Sequence, residues 1–412
     1  MTRNAILIGL CAAAILVSPV FALDRVSASE KGSFLVYSKV ELRWEMPSGN
    51  LIQDTFLDMS NDYPGFVAVQ LYFVNGDDPA EAVYDGGGTL IERAHFGCNW
   101  VDNAIALTGN EPAFWSALTG QEKGVSPFTV LDPAAGPFNI ADPLTWPGRP
   151  APDGSGDRVL RGFVLAWAID ANGEEIRWNH LKGDALIINY SDAAAWEYNA
   201  YAFQATETVA HGAQTGTPGI LNLNGVEYDY CFDLLLMDFY AVGSTGLNYN
   251  GHTIDVDVDL TLLPMTIDVR QDSNGWVKTK AKFDIWNQNE VKFSNTEWCI
   301  KKWDQRLLSD GGIPAPNSFY RFFLGTNKGK ARIDGMASSV CPDSIDTPLL
   351  GVRALILDFT AGADTAMAGI NLVGMGTQTG CVHYDLLAPP PELFPTTVPV
   401  VAPVKGVKAS IR

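Results

Sequence analysis

The chain has 412 residues, among them 39 glycines and 24 prolines, with 11% aromatic and only 18% charged side chains. That composition excludes a disordered chain and points to a loop-rich β-protein with large cores, long enough for two or three domains on the usual size scale. Acidic side chains outnumber basic ones by 47 to 28, for a formal net charge of −19, so nucleic acid and anionic membranes are poor partners and cations better ones.

Residues 1–22 carry the marks of a cleaved secretory signal: Arg3, an apolar run from Ala5 to Val17, and the Val20-Phe21-Ala22 cleavage pattern. Ser18-Pro19 closes the apolar run before the roughly 20 residues that a membrane anchor requires, and Leu10 before Cys11 does not fit a lipoprotein acylation site. No later stretch is apolar enough to span a bilayer as a helix. The expected location is therefore secreted, periplasmic or cell-surface, with 27 basic residues left against 47 acidic ones once Arg3 is removed.

From residue 34 onward the chain reads as antiparallel strands. Val40-Glu41-Leu42-Arg43-Trp44 alternates apolar and polar side chains, and Pro47-Ser48-Gly49-Asn50 supplies a turn. Residues 55–61 and 67–74 give two more strands around Asp62-Tyr63-Pro64-Gly65. Residues 122–158 hold seven prolines and five glycines with little strand pattern; an insertion of this length inside a domain is uncommon and is usually functional or partly disordered.

One hexad occurs twice. Ala185-Leu186-Ile187-Ile188-Asn189-Tyr190 is echoed, 169 residues later, by Ala354-Leu355-Ile356-Leu357-Asp358-Phe359. Neighbouring segments recur in the same order: Val40-Glu41-Leu42-Arg43 resembles Ile267-Asp268-Val269-Arg270, and the stretch around Leu57 resembles that around Phe283. This ordered self-similarity predicts a tandem duplication. The expected fold is all-β, with two antiparallel β-sandwich domains of immunoglobulin-like or jelly-roll kind at 31–245 and 250–388, and a Pro-rich tail at 389–412.

Five cysteines follow the signal, and in an exported chain they are disulfide candidates. The repeat aligns Cys98 with Cys299 and Cys231 with Cys381, which predicts equivalent bridges Cys98–Cys231 and Cys299–Cys381 and leaves Cys341 over. A Cys341–Cys381 or Cys299–Cys341 bridge is the rival arrangement. The five histidines are scattered, and no zinc, haem, nucleotide or nucleophile-elbow motif is present.

Asp255-Val256-Asp257-Val258-Asp259 is the sharpest charged feature. On a strand the three carboxylates share one face about 7 Å apart. They are expected to form a solvated face with the valines inward, the competing reading being a calcium site, which needs oxygens bent around one point. Most tryptophans lie in strand-like positions suited to a core; Trp146, between Thr145 and Pro147 in the insertion, is the candidate for stacking on a sugar. The expected function is an exported structural or binding protein of the cell surface, periplasm or extracellular matrix. Its partner would be a surface or matrix protein or a polysaccharide. A carbohydrate-binding module using the Trp146 loop is the alternative, and a secreted hydrolase lacks any recognisable constellation.

Overall fold

A strand covered on both faces needs an almost unbroken apolar run, whereas one covered on a single face alternates. Both kinds occur. The central strands β1 (Phe34–Trp44) and β5 (Arg158–Ile169) are buried nearly throughout, while β11 (Lys278–Asn287) buries every second residue. The computed structural model describes residues 25–121, 124–132, 138–249, 252–271, 277–310, 317–359 and 365–395. The expected signal at 1–22, the tail beyond 395, and residues 122, 123 and 133–137 of the insertion lie outside the described residues.

The protein is all-β, built of several antiparallel sheets. The first sheet contains β1, β2 (Leu51–Asn61), β3 (Val67–Asn75), β4 (Trp100–Leu107), β5, β6 (Leu181–Asn189) and β7 (Ala194–Asn199), in spatial order β7-β6-β2-β1-β5-β3-β4, with three short strands attached. The second sheet runs β12-β11-β14-β8-β17, where β8 is Leu234–Tyr240, β12 Lys292–Lys301, β14 Lys328–Met336 and β17 Val373–Met375. The third runs β9-β10-β15-β16, from Gly243–Tyr249, His252–Pro264, Leu349–Phe359 and Thr365–Asn371, and β13 (Asp304–Leu307) pairs with β10.

Burial joins these sheets. One apolar cluster combines Phe34, Val36 and Trp167 of the first sheet with Leu262, Phe283 and Ile333 of the other two. A second cluster, containing Leu35, Tyr37, Leu57 and Val164, reaches Val352 and Ala354 of β15. The buried Tyr201 hydroxyl donates to the Gly351 carbonyl at 2.5 Å, so apolar packing and a satisfied polar contact act at the same junction.

The sequence echo does not carry over to all strand positions. Leu57 pairs directly with Ala185 in the first sheet. Phe283, its expected counterpart, pairs with Thr296 and Ile333 in the second sheet, while Ala354 pairs with Asp259 and Gly369 in the third. Short apolar alternations resemble one another wherever a strand is half-buried, which is why the wider match misled. What recurs is the hairpin carrying each hexad, β6–β7 and β15–β16. These hairpins meet edge to edge: the Asn371 side chain accepts from the Asn199 amide at 3.0 Å and donates to its carbonyl at 2.8 Å. Gly369 is required there, because a Cβ would lie 1.9 Å from the Trp196 indole.

The cysteine pairing also departs from the symmetric expectation. Cys299 is bonded to Cys341, with Cα atoms 5.7 Å apart, and Cys98, Cys231 and Cys381 are free thiols. The expected Cys98–Cys231 and Cys299–Cys381 bridges are therefore absent. The reason is local: the segment after β14 folds back along β11, where the Ile345 amide donates to the Lys278 carbonyl at 2.8 Å, and this sets Cys341 beside β12. Cys98 instead turns its thiol toward the Asp77 carbonyl, and Cys381 turns toward His383. Non-reducing peptide mapping should recover Cys299 joined to Cys341. Cys98 and Cys231, at 3% and 0% exposure, should react with an alkylating reagent only after unfolding, and labelling of either in the native protein would contradict this packing.

Candidate functional site: a charged cleft at the sheet junction

One irregularity in β1 creates the site. The pairing of β1 with β5 shifts between Tyr37 and Val40, and an extra residue in a strand exchanges the two faces of everything after it. Leu35 and Tyr37 share one core cluster with Val40 and Leu42. Lys39, Glu41 and Arg43 are thereby turned to the side of Phe34 and Val36, which faces the third sheet. The junction is thus apolar at one end and ionic at the other.

The ionic end is densely connected. The Lys39 ammonium, 2% exposed, lies 3.2 Å from Glu41 Oε2 and in close contact with the Asp259 carboxylate of β10. Gln305 of β13 donates to Glu41 Oε2 at 2.9 Å and to Asp259 Oδ2 at 2.8 Å. Its own Oε1 accepts from Arg161 at 3.1 Å, and Arg161 is fixed by two bonds, at 2.9 and 3.1 Å, to Asp77 Oδ1. Arg43 reaches the end of the insertion, 2.8 Å from Asp153 and 3.3 Å from Asp157. Charges removed from water in this way are tolerated only when paired and hydrogen-bonded.

Beside this network lies a cavity of about 720 Å³, lined among others by Arg43, Asp153, Trp196, Asp259, Gln305 and Ile356. Its walls come from β1 and β5, the end of the insertion, β10, β13 and the two hexad hairpins. Trp196 gives it an aromatic side, with the Lys39 ammonium 5.6 Å from the ring centre. One buried oxygen of the site, Asp259 Oδ1, has no hydrogen-bond partner among the described residues. Burial alone would raise the Glu41 carboxyl, but the charges of Lys39, Arg43 and Arg161 and the Gln305 hydrogen bond together hold it down at about 2. Asp304 behaves oppositely: burial raises it despite Arg306 at 2.8 Å.

The structure redistributes the residues singled out in the sequence. Val256 and Val258 point inward as expected, but the acids between them do not form a solvated face. Asp257 accepts from the Ser309 amide at 3.2 Å and from its hydroxyl. Asp259 is 9% exposed and bound to Lys39, and Asp255 is half-buried. These carboxylates do not fit calcium, because an internal ammonium already lies against Asp259 and Ser309 holds Asp257. No group of three or more His, Cys, Asp or Glu side chains suited to a metal occurs among the described residues. Trp146 lies away from the cleft: its Nε1 donates to the Asn139 carbonyl at 3.2 Å and its ring lies 5.8 Å from the Arg158 guanidinium. Arg93, doubly bonded to Asp132 at 2.7 and 2.6 Å, also donates to the Trp146 carbonyl at 3.3 Å. The ring therefore anchors the insertion. Lys39, Glu41, Arg161, Gln305 and Trp196 were not expected as site residues. The one available signal was a run of charges, Lys39, Glu41 and Arg43, within an otherwise apolar strand.

No family of known proteins matches this chain, and no curated protein does. Among solved structures, a cryo-EM structure of Broad Bean Stain Virus is similar at 9% identity over 90% of this chain and 99% of that one, with a TM-score of 0.17. The CupB6 tip adhesin from Pseudomonas aeruginosa is similar at 8% identity over 87% of this chain and 94% of that one, with a TM-score of 0.10. Likeness at this level carries no argument about the fold or the site.

The Glu41 carboxyl sets a pH dependence. Its folded value of about 2 lies below the ordinary 4.5, so the folded state binds fewer protons than the unfolded one between these values. Its contribution is complete above about pH 4.5 and is lost as pH falls toward 2. Denaturant titrations should show wild-type stability falling through this window. Glu41→Gln should give a lower and flatter curve, and parallel curves would contradict the assignment.

Proposed function

We propose that the chain is an exported binding protein of the cell surface, periplasm or extracellular matrix, and that the cleft seats a small polar ligand bearing hydroxyl or amino groups. The cavity itself carries this reading: it is of ligand size and combines an aromatic side with converging hydrogen-bonding groups, as small-molecule sites do. Its lining favours neutral or cationic ligands over anions, since Glu41 and six aspartates outnumber Lys39 and three arginines. The signal-like residues 1–22 support export, and a Cys299–Cys341 bridge suits an oxidising compartment. Sugar binding through Trp146 itself is the weaker form of the carbohydrate reading, because its indole nitrogen is committed to Asn139. The end of the same insertion, at Pro152, Asp153 and Asp157, borders the cleft, so a sugar would lie there against Trp196.

The test is a thermal-shift panel on the signal-free chain, using neutral mono- and disaccharides, linear polyamines and free amino acids. A cleft ligand raises the melting temperature by mass action, about 2.7 kcal/mol at a hundred times its dissociation constant. Ile356→Trp, which fills the cavity from its β15 side, should abolish the shift while the variant still melts cooperatively. No shift with any class, or a shift that survives Ile356→Trp, would contradict the proposal.

A further inference from the structure

The net charge of −19 conceals one face on which cations are gathered. On the outward side of the second sheet, β11 presents Lys278, Lys280 and Lys282, and its neighbour β14 presents Lys328, Lys330 and Arg332. The alternation is strict: between these residues Thr279, Ala281 and Phe283 on β11, and Ala331 and Ile333 on β14, point into the core. On β8, β11 and β14 together the acids at outward positions are Asp238, Asp284 and Asp334, half as many as the cations. Two of the three are already countered, Asp238 by Arg353 at 2.6 Å and Asp284 by Lys292 at 3.0 Å. Of the six cations, Lys278, Lys280 and Lys330 are themselves paired, with Asp343, Glu297 and Glu290, whereas Lys282, Lys328 and Arg332 enter no ion pair among the described residues.

Two aromatic rings lie within this grid. Trp286 has the Arg332 guanidinium 5.1 Å and the Lys292 ammonium 5.2 Å from its centre. Tyr240 has the Lys328 ammonium at 4.8 Å. Successive outward residues of a strand are about 7 Å apart and neighbouring strands about 4.8 Å, so the cations form a flat two-dimensional array. With the other three paired, the positive field of this array comes from Lys282, Lys328 and Arg332.

We infer that the outward face of this sheet is a docking surface for an acidic polysaccharide, a chain of sugars carrying carboxylate or sulfate groups. Charge complementarity selects a polyanion. The form of the surface selects a flexible single chain, which can lie along the sheet. A stiff nucleic-acid duplex would extend over the acidic remainder of the protein and be repelled. The rings at Trp286 and Tyr240 hold Arg332, Lys292 and Lys328 close to the sheet, where a chain lying along it can reach them. This surface is separate from the cleft, and none of the six cations lines that cavity.

The experiment measures binding of the full signal-free chain to immobilised polygalacturonate, dextran sulfate and neutral dextran across a salt series, with double-stranded DNA in parallel. Retention on one or both acidic polysaccharides and none on dextran is expected, and the two acidic supports distinguish carboxylate from sulfate recognition. Affinity should fall as salt rises, and K282Q/K328Q/R332Q should lower the slope of log affinity against log salt by about two to three. If the triple variant does not melt cooperatively, the single exposed substitutions K282Q and K328Q serve, each expected to reduce the slope by about one. The cleft-filling Ile356→Trp should leave this binding intact, which separates the inference from the proposed small-ligand function. Lack of retention on both acidic supports, retention unchanged by the substitutions, or tighter binding to DNA would overturn the inference. So would a salt-sensitive self-association, abolished by the triple substitution, that accounts for retention.

Discussion

A lysine ammonium removed from water has to be met by opposite charge, and the rest of the structure is arranged around how Lys39 is met. Its two carboxylates come from different sheets: Glu41 is two residues along β1, and Asp259 is 220 residues away on β10. Removing one partner of a buried pair leaves an uncompensated charge, at a cost of roughly 3–5 kcal/mol, so the third sheet is held where it can supply Asp259. Gln305 and Arg161 extend the same constraint to β13 and β5. The apolar contact of Phe34 and Val36 with the later strands provides cohesion, and the ionic end provides register. The cleft opens beside that ionic end.

The sheet framework was legible because its determinants are local. The alternation of Val40-Glu41-Leu42-Arg43-Trp44 lies within β1, and the segments read at 55–61 and 67–74 lie within β2 and β3. The hexad was also informative, although at the level of a hairpin: each copy forms a strand paired to the segment that follows it. The wider alignment failed because half-buried strands share a pattern without sharing neighbours, as Leu57 and Phe283 show.

The site was much less legible. Asp259 looks like a surface acid in its own segment, and only the approach of Lys39 makes it a buried ion-pair partner. The bulge between Tyr37 and Val40 that turns Lys39 inward leaves little trace in composition, because Ser38-Lys39 is unremarkable in a strand. Trp146 attracted attention by standing in a proline-rich insertion, yet such an insertion needs anchors, and Arg93, Asp132 and Arg158 make it one. Net charge misled in a related way. It is a sum over the chain, whereas recognition depends on the charge of a face, and period-two alternation gathers like side chains that are not adjacent in sequence.

Lys39 and Asp259 form one coupled unit that fastens the first sheet to the third. A double-mutant cycle with Lys39→Met, Asp259→Asn and the double variant, read by denaturant unfolding, tests it most directly. Each single substitution should destabilise strongly, roughly 3–5 kcal/mol for a broken buried pair. The double variant should be clearly more stable than the sum of the two losses implies. Losses that simply add would show that the two charges do not act together, and would contradict the account.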